Sequence, residues 1–363
     1  MWAMSDFDPT PTQGRSTRGP DRLSPVNLRD VAAHARVSVA TASRVFAGNP
    51  NVNADSRARV LASAQELGYV VNGLARAMMG RGPQSIAFVV RAMIGPSFAA
   101  LAAGVERVAR DNGHLVLMAA TEGDLAREID FIRISREMRV KAVLLVGSTE
   151  TDSAFVDRAA GYARDLAQIK APLILCGRPP IASLPDLVSV SYDQTAAIGE
   201  AVDELVRNGH RRIAYVGEGP GMTTAELRLD GYRSAMRRHG LPVEAEMIRN
   251  ANNTEADGDR AVEELLKSGP SVTAIVSMTD NIAVGAYRAA RRCGLKLPED
   301  LSVVGFDDVP IVGDLTPALS TVHPPFFEVG MKAAEIGLGL VPASNVLLPT
   351  RFINRASIAS LAR

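Results

Sequence analysis

Between Leu28 and Phe46, small, hydroxyl and arginine side chains are spaced so that they share one face of a short predicted helix. The pattern predicts a first helix over residues 28–35, a tight turn, and a second helix over residues 39–46 with a serine cap. The residues predicted at this cap and on the exposed face are Ser38, Val39, Ala40, Thr41, Ser43 and Arg44. In the major groove of DNA an arginine can bond guanine through two hydrogen bonds, and serine or threonine can bond phosphate or a base edge. The segment therefore predicts a helix-turn-helix that reads DNA.

Two further segments are expected to hold this helix pair in place. Residues 52–69 predict a third amphipathic helix, which Gly68 ends. Its predicted buried stripe consists of Val60, Leu61, Ala64 and Leu67. Residues 72–79 then form a short helix-capable segment, and a helix of that length is marginal in water by itself. Such a segment is suited to switch between folded and unfolded states.

Charge is distributed unevenly along the chain. The 363 residues contain 40 basic and 40 acidic side chains, so the whole chain is formally neutral. Residues 27–83 nevertheless contain seven arginines and three acids, which gives this segment a net charge of +4. A basic head on an acidic body fits the binding of phosphates, although an ordinary solvated surface explains the charge about as well.

The motifs of several other protein classes are missing from the sequence. Only two cysteines occur, Cys176 and Cys293, and neither has a second Cys or His nearby, which argues against a zinc site or a disulfide framework. The run Gly217–Gly221 follows a predicted strand but lacks the third glycine of a dinucleotide-binding fingerprint. The chain has no Walker A, G-x-S-x-G or HExxH motif. We therefore expect no enzyme, no cofactor and no bound metal.

The ends and hydropathy of the chain bear on its compartment. Residues 1–25 are rich in Pro, Ser, Thr, Gly and charge, which predicts a disordered tail rather than a signal peptide. No apolar run approaches the length of a membrane span. We predict a cytoplasmic protein without a membrane partner.

After residues 80–83 the pattern changes to short apolar strands that alternate with amphipathic helices. One series of strands runs from residue 86 to residue 176, and a second runs from residue 188 to residue 306. This alternation predicts βαβ units and two parallel sheets with helices on both faces. Two such lobes around a cleft form the architecture of periplasmic sugar-binding proteins. Ligands of open parallel sheets bind at the carboxyl ends of the strands, so the loops at the cleft are the expected site.

The order of several short motifs resembles the LacI/GalR family of bacterial transcriptional regulators. In the head these motifs are L-x-D-V-A, V-S-x-x-T-x-S-R, G-Y and N-x-x-A-R, at Leu28–Ala32, Val37–Arg44, Gly68–Tyr69 and Asn72–Arg76. In the second lobe they are GHRRIAYVG, LRLDGYRSAM, TDNIAVGAYRAA and LSVVGFDD, which begin at Gly209, Leu227, Thr279 and Leu301. The resemblance covers residues 27–360. It implies an all-α helix-turn-helix head followed by an α/β two-lobed core that is periplasmic-binding-protein-like and has two doubly wound parallel sheets.

The resemblance also implies an effector site. In that family the arginine of R-x-x-G-Y and the first aspartate of G-F-D-D hold the effector, which carries over to Arg228 and Asp307. A guanidinium and a carboxylate can each bond two neighbouring sugar hydroxyls. The alternative is that Arg228 pairs with a surface acid such as Asp230 or Glu226.

Three further residues are candidates for effector binding. Asp280 lies at a strand-to-helix junction, where a favourable charge at the helix N-terminus explains it equally well. Phe98 matches a family aromatic that can face a ligand ring, although packing of the lobe explains it slightly better. Gly177 stands where many members have a sugar-contacting aspartate, and the adjacent Arg178 would favour an anionic effector.

In the hinge, the resemblance implies DNA contacts by Asn72, Ala75, Arg76 and Met78. The paired Met78 side chains would open a base step in the minor groove and bend the duplex. Arg36 stands where the family usually has glycine in the turn between the first two helices. If this turn needs a left-handed residue, arginine there costs on the order of 1 kcal/mol.

These patterns predict four segments. They are a disordered tail (1–25), a helix-turn-helix domain (26–71), a hinge helix and linker (72–83), and an effector-binding and dimerisation core (84–363). Within the core, lobe 1 is predicted at 84–192 and 325–342, and lobe 2 at 193–322 and 343–363.

We predict a homodimeric repressor that binds a palindromic operator and responds to a small sugar-like or anionic effector. The sequence leaves open whether the effector is an inducer or a corepressor. A cytoplasmic solute sensor with a corepressor-type or non-sugar ligand is the alternative.

Overall fold

The computed structural model describes residues 26–69, 84–93, 96–147, 153–269 and 271–361. The predictions for the tail and for the hinge residues Asn72, Ala75, Arg76 and Met78 lie outside the described residues. The chain divides into two compact units, Met1–Gly82 and Pro83–Arg363.

The first unit is a three-helix head. Its helices are α1 (Leu28–His34), α2 (Val39–Phe46) and α3 (Ala54–Glu66). Each begins after a residue whose side-chain oxygen accepts from a backbone N–H of the first turn, namely Asn27, Ser38 and Asn53. The predicted Ser38 cap and the bounds of the second helix are confirmed.

The turn between α1 and α2 contains Arg36 with φ 54°, so this residue has the left-handed conformation that glycine adopts without strain. The turn thus has a left-handed residue at position 36, which is the condition under which the sequence assigned arginine a cost there.

The head has a small apolar core between its helices. The buried residues are Val31, Ala32, Ala35, Ala42, Val45, Val60 and Ala64. Leu61, predicted in the buried stripe, is instead 50% exposed. Ser63 is buried in its place, and its hydroxyl lies 3.0 Å from Nδ1 of His34. Positions 60, 63 and 64 of α3 therefore face the core, and they are neighbours on one side of the helix. Because Ser63 is polar, the apolar pattern of the sequence did not identify this position as buried.

The second unit begins with alternating strands and helices. They are β1 (Ser85–Val90), α4 (Pro96–Asp111), β2 (Leu115–Ala120), α5 (Leu125–Glu137), β3 (Ala142–Val146), α6 (Ser153–Ala167), β4 (Leu173–Cys176) and β5 (Val188–Tyr192). The chain continues with α7 (Gln194–Arg207), β6 (Ile213–Gly217), α8 (Thr223–Arg238), β7 (Ile248–Asn250), α9 (Glu255–Ser268), β8 (Ala274–Ser277) and α10 (Asp280–Arg292). It ends with β9 (Ser302–Phe306), β10 (Ser320–His323), α11 (Phe326–Gly337), β11 (Val346–Leu348) and β12 (Arg351–Ile353).

The strands form two six-stranded sheets, one for each lobe. Their orders are β11-β5-β4-β3-β1-β2 in lobe 1 and β12-β10-β9-β8-β6-β7 in lobe 2. Neighbouring strands pair in parallel except β10 and β12, which are antiparallel. The predicted fold class, with two parallel sheets covered by helices, is confirmed.

One lobe boundary was wrong. Strand β11, predicted in lobe 2 as part of residues 343–363, pairs in parallel with β5 and belongs to the sheet of lobe 1. The chain therefore crosses into lobe 2 for the last time between Leu348 and Arg351, not after residue 342. Strands of three residues are too short to show a period, so the sequence could not assign β11 to a sheet.

Both faces of the central strands of the sheet in lobe 1 are buried. Along β1, Ile86, Phe88 and Val90 enter one apolar core, while Ala87 and Val89 enter the other. A parallel sheet covered on both faces exposes its loops mainly at the strand ends, where ligands can reach them. None of the helices within the described ranges is long and apolar enough to cross a membrane.

Candidate functional site

A cavity of about 600 Å³ lies between the two lobes of the core. It is lined by residues that follow β1, β3 and β4 of lobe 1 and by residues that follow β6, β7 and β9 of lobe 2. Arg228, Asp307 and Phe98 are among the lining residues. The carboxyl ends of both sheets thus meet at one cleft, which is where open parallel sheets bind ligands.

Arg228 of α8 is held tightly at the floor of this cleft. Its side chain is 4% exposed, and its guanidinium carbon lies 3.6 Å from the centroid of the Phe306 ring. Nε donates to the side-chain oxygen of Gln194 at 3.0 Å, and Nη1 donates to the carbonyl of Met278 at 2.5 Å. Nη2 donates to the hydroxyl of Tyr192 at 3.3 Å. These partners fix the plane of the guanidinium before any ligand arrives.

The acid that faces this guanidinium is Asp307, so the alternative pairing of Arg228 with a surface acid is not what the structure has. Nη2 of Arg228 lies 3.6 Å from Oδ1 of Asp307, which is longer than a hydrogen bond. Burial raises the pKa of Asp307 to about 7, against the opposing effect of Arg228 and with a smaller contribution from the charge of Asp280. Asp307 lines the cavity and its side chain is 15% exposed, so a ligand hydroxyl can reach the carboxylate.

Aromatic rings form one side of the cleft. Phe98 in the first turn of α4 packs against Phe88 with ring centroids 5.7 Å apart. Tyr192 at the end of β5 meets Phe326 edge to face at 5.6 Å. Phe98, Tyr192 and Phe326 all line the cavity, so Phe98 both packs within its lobe and faces the cleft.

Two predicted effector residues do not line the cleft, and the first is Asp280. Its side chain is fully buried at the start of α10. The carboxylate accepts from the Thr321 hydroxyl at 2.7 Å and from the backbone N–H of Val309 at 2.8 Å. Asp280 therefore contacts lobe 2 itself, and a direct effector contact is the wrong interpretation.

The second is Arg178. Gly177 turns with φ 73°, and the next side chain then passes to the other face of the sheet. There the Arg178 guanidinium lies over the ring of Phe155 at 5.2 Å and donates to the carbonyl of Val146 at 3.1 Å. Arg178 is 5% exposed, so it offers no positive charge to the cleft and no basis for an anionic effector.

Three asparagines that the sequence did not single out line the lobe 2 side of the cleft. Asn252 and Asn253 follow β7, and Asn281 lies in the first turn of α10. Oδ1 of Asn253 accepts from the Thr279 hydroxyl at 2.7 Å and from Nδ2 of Asn281 at 3.3 Å. Recognising Asn252 and Asn253 needed β7, a three-residue strand without a visible period.

The predicted DNA-contacting residues of the head share the free face of α2. Ser38, Val39, Ala40 and Arg44 are exposed, and Thr41 and Ser43 are half-buried. The Ser38 oxygen accepts from the Thr41 backbone N–H at 3.1 Å and lies 2.9 Å from the Thr41 hydroxyl. These residues offer three hydroxyls, two apolar side chains and one guanidinium, a set that suits the edges of bases and the phosphate backbone.

Comparison with known proteins assigns both parts of the chain to known domain families. Residues 27–72 match the bacterial regulatory proteins of the lacI family, and residues 202–358 match the periplasmic binding protein-like domain. The HTH-type transcriptional repressor CytR of Escherichia coli (strain K12) is 30% identical over 339 residues, which span 92% of this chain and 96% of CytR. The chain belongs to the lacI family of bacterial regulatory proteins.

Solved structures agree with the fold of this lacI-family protein. The Lac repressor dimer bound to operator and an anti-inducer is 23% identical and has a TM-score of 0.81. The match covers 93% of this chain and 100% of the Lac repressor chain, and at this identity the likeness shows a common fold. The complex of the transcriptional regulator CelR with cellobiose is 26% identical, covers 92% of this chain and 99% of its own, and has a TM-score of 0.67. The predicted class, a DNA-binding transcriptional regulator with an effector-binding core rather than an enzyme, is confirmed.

Proposed function

We propose that this lacI-family protein is a homodimeric repressor whose cleft binds a neutral, polyhydroxylated effector, a sugar or a sugar derivative. The observation that carries the proposal is the Arg228–Asp307 pair at the floor of the cleft, 3.6 Å apart and almost buried.

The charge of the cleft favours a neutral ligand. The charged side chains among the described lining residues are Arg91, Glu218, Arg228 and Asp307, two of each sign. Arg228 already donates to three protein oxygens and faces Asp307, so an anion would find its charge largely compensated. An anion would also have to give up its hydration in a partly buried site, which is costly without an unpaired cation.

The shape and chemistry of the walls favour a ring that carries hydroxyls. Phe98, Tyr192 and Phe326 provide flat apolar surface, while Asn253 and Asn281 provide amide groups on the opposite lobe. A ligand hydroxyl can donate to Asp307 and accept from an amide, and the apolar face of the ring can lie on the aromatic side. The cellobiose complex of CelR supports a ligand of this class.

The head supplies the other half of the function. We infer that two heads of a homodimer bind the half-sites of a palindromic operator in the cytoplasm, with α2 of each in the major groove. Arg44 contacts a base edge and Thr41 and Ser43 position the helix on the backbone. Asn72, Ala75, Arg76 and Met78 of the hinge contact the minor groove. An effector that closes the lobes on Arg228 and Asp307 shifts the dimer to a state with lower operator affinity.

Thermal shift assays on the full-length chain test the proposal for the effector. Matched pairs of ligands are compared, such as glucose with gluconate and glucose 6-phosphate, and ribose with ribose 5-phosphate, together with cellobiose. We expect at least one neutral sugar to raise Tm in wild type and not in Asp307→Asn, since a ligand stabilises only the state that binds it. Stabilisation by the anionic members alone would contradict a neutral effector.

A further inference from the structure

The turn that follows β9 has an uncommon backbone. Asp307 has φ 114° and Asp308 has φ 50°, two consecutive non-glycine residues with positive φ. Such conformations persist only where surrounding contacts hold them, and they concentrate at functional sites. Asp307, the acid that faces Arg228, thus depends for its position on whatever holds this turn.

Asp280 touches the turn from inside the lobe. Its carboxylate is completely buried and accepts from the backbone N–H of Val309, at the far end of the turn, at 2.8 Å. Its other oxygen accepts from the hydroxyl of Thr321 on β10 at 2.7 Å. A side chain at Gly305 would place its Cβ 2.1 Å from Oδ1 of Asp280, so the carboxylate lies directly against the backbone of β9.

Other contacts hold the remaining sides of the turn. The backbone N–H of Asp307 donates to the carbonyl of Val322 on β10 at 2.9 Å. The carboxylate of Asp308 accepts from Nη2 of Arg355 at 2.7 Å and lies 2.9 Å from Nδ1 of His323. Of the side chains that hold the turn, Asp280 is the fully buried one. It accepts from Val309, the residue at which the chain leaves the turn.

We propose that Asp280 is a positioning residue for effector binding, whose buried carboxylate holds the 306–309 turn so that Asp307 faces Arg228; this role rests on the proposed binding of the effector by Asp307. A charge that only favours the N-terminus of α10 would not need this geometry, because Thr279 already caps that helix. The Asp280 carboxylate instead reaches Val309 and Thr321, on two other segments of the lobe.

The charges around the turn give the proposal a second observable. The groups that face Asp307 are Arg228, Tyr192 and Asp280, and beside them lies the cluster of Asp308, His323 and Arg355. Burial raises the pKa of Asp280 to about 6, partly offset by the hydrogen bonds from Thr321 and Val309. The negative charge of Asp280 in turn contributes to the raised pKa of Asp307.

The sign of the resulting pH dependence follows from linkage. The folded-state pKa values of Asp280 and Asp307 lie above the ordinary aspartate value of about 4. Between the ordinary value and the folded-state values, the folded protein therefore binds more protons than the unfolded chain. The stability that comes from this uptake is lost as pH rises through about 6 to 7. Asp280→Asn removes one of these two carboxyl groups. It also removes the negative charge that helps to raise the pKa of Asp307. The difference in Tm, variant minus wild type, should therefore increase from pH 5 to pH 8.

Hydrogen exchange measured by mass spectrometry on the full-length protein tests the positioning directly. We expect Asp280→Asn to speed exchange in peptides that contain residues 306–309 about tenfold, because a neutral amide is a weaker acceptor than a carboxylate. Exchange elsewhere in lobe 2 should stay as in wild type. Asp165→Asn, the same change at an exposed acid on α6, is the matched control and should alter neither exchange in the turn nor the pH dependence of Tm.

Thr321→Val is the second variant, and it decides the matter if Asp280→Asn does not fold. It removes one donor to the carboxylate and keeps the charge, so we expect a smaller acceleration confined to the same peptides. Unchanged exchange at 306–309, or an increase confined to the first turn of α10, would overturn the proposal. No ligand is used, so a failure here is distinct from a failure of neutral sugars to stabilise the wild type.

Discussion

At the scale of single residues, we expect operator recognition to depend most on Arg44, the only arginine within α2. It is exposed on the face that also carries Ser38 and Ala40. A bidentate contact to a guanine discriminates against other bases by about 1–3 kcal/mol. We expect Arg44→Ala to lose about this much binding free energy on the operator and to relax the preference at one base pair of each half-site.

Fluorescence anisotropy titrations at fixed salt measure both effects. They are made on an operator selected from a library of duplexes and on its single-base variants. Arg233→Ala removes an exposed arginine from α8 in the core and serves as the matched control. Equal losses on all duplexes would assign Arg44 to a phosphate rather than to a base.

The backbone strain at Arg36 can be relieved by a substitution. With φ 54° it holds a left-handed conformation, which costs a non-glycine residue about 1–2 kcal/mol. Arg36→Gly relieves this strain but gives the unfolded chain more freedom, which returns about 0.4–1 kcal/mol. We expect a net stabilisation of the head of up to about 1 kcal/mol, seen as slower hydrogen exchange in α1 and α2 of the full-length protein. Arg36→Ala keeps the strain and should give no such protection.

At the scale of elements, the last segment of the chain is fastened to lobe 2 through a buried histidine. His210 is 1% exposed, and Nδ1 lies 3.0 Å from the Thr273 hydroxyl. Nε2 lies 3.1 Å from the carbonyl of Ala359 and 3.0 Å from the hydroxyl of Ser302. This ring therefore joins the start of β9 and the loop before β8 to the carboxyl-terminal segment.

Burial lowers the pKa of His210, partly offset by its hydrogen bond to the carbonyl of Ala359. The folded state then binds fewer protons at this site than the unfolded chain, so its contribution to stability is lost as pH falls through about 6.5. We expect His210→Gln to be less stable than wild type at pH 8 by about 1–3 kcal/mol, with a gap that narrows by pH 5.5. Urea unfolding at the two pH values measures the gap, and His114→Gln, the same substitution in the loop before β2, is the matched control.

The sequence predicted those elements that are long enough to show a period. The alternation of short apolar strands with amphipathic helices between residues 86 and 306 was expected, and the structure has it from β1 to β9. Strands β7, β11 and β12 have three residues each, so their sheets and the asparagines after β7 escaped notice. These are tertiary features, because pairing with a neighbour defines such strands more than their own residues do.

Within the site, motif spacing located Arg228 and Asp307 but could not orient the neighbouring side chains. Arg178 lies one residue from the cleft in sequence, yet the positive φ of Gly177 sends it to the opposite face of the sheet. Asp280 lies between two cleft residues, Thr279 and Asn281, but points into the lobe. Side-chain direction depends on local backbone angles that no spacing rule contains.

At the scale of the whole molecule, the proposed binding of a palindromic operator requires two copies of the chain, and lobe 1 offers an apolar surface through which they can associate. It consists of the edge strand β2 and the helix α5 that follows it. Its exposed large apolar side chains are Leu115 (57%), Met118 (41%), Leu125 (44%), Ile129 (47%) and Ile134 (38%). Exposed apolar groups gathered on neighbouring elements mark protein contact surfaces more often than isolated ones do. We propose that this surface joins the two copies.

Ile129→Lys should break this contact. A lysine buried at an interface without a partner costs several kcal/mol, so we expect the dimer Kd to rise at least about 100-fold. The side chain is exposed in one copy, so Tm of the core should change little. Sedimentation velocity at micromolar protein should show a monomer, and operator affinity should fall because one head retains only one half-site.

Leu347→Lys is the matched control, since Leu347 is 64% exposed on β11 at the opposite edge of the same sheet. A monomeric Leu347→Lys beside a dimeric Ile129→Lys would move the interface to that edge.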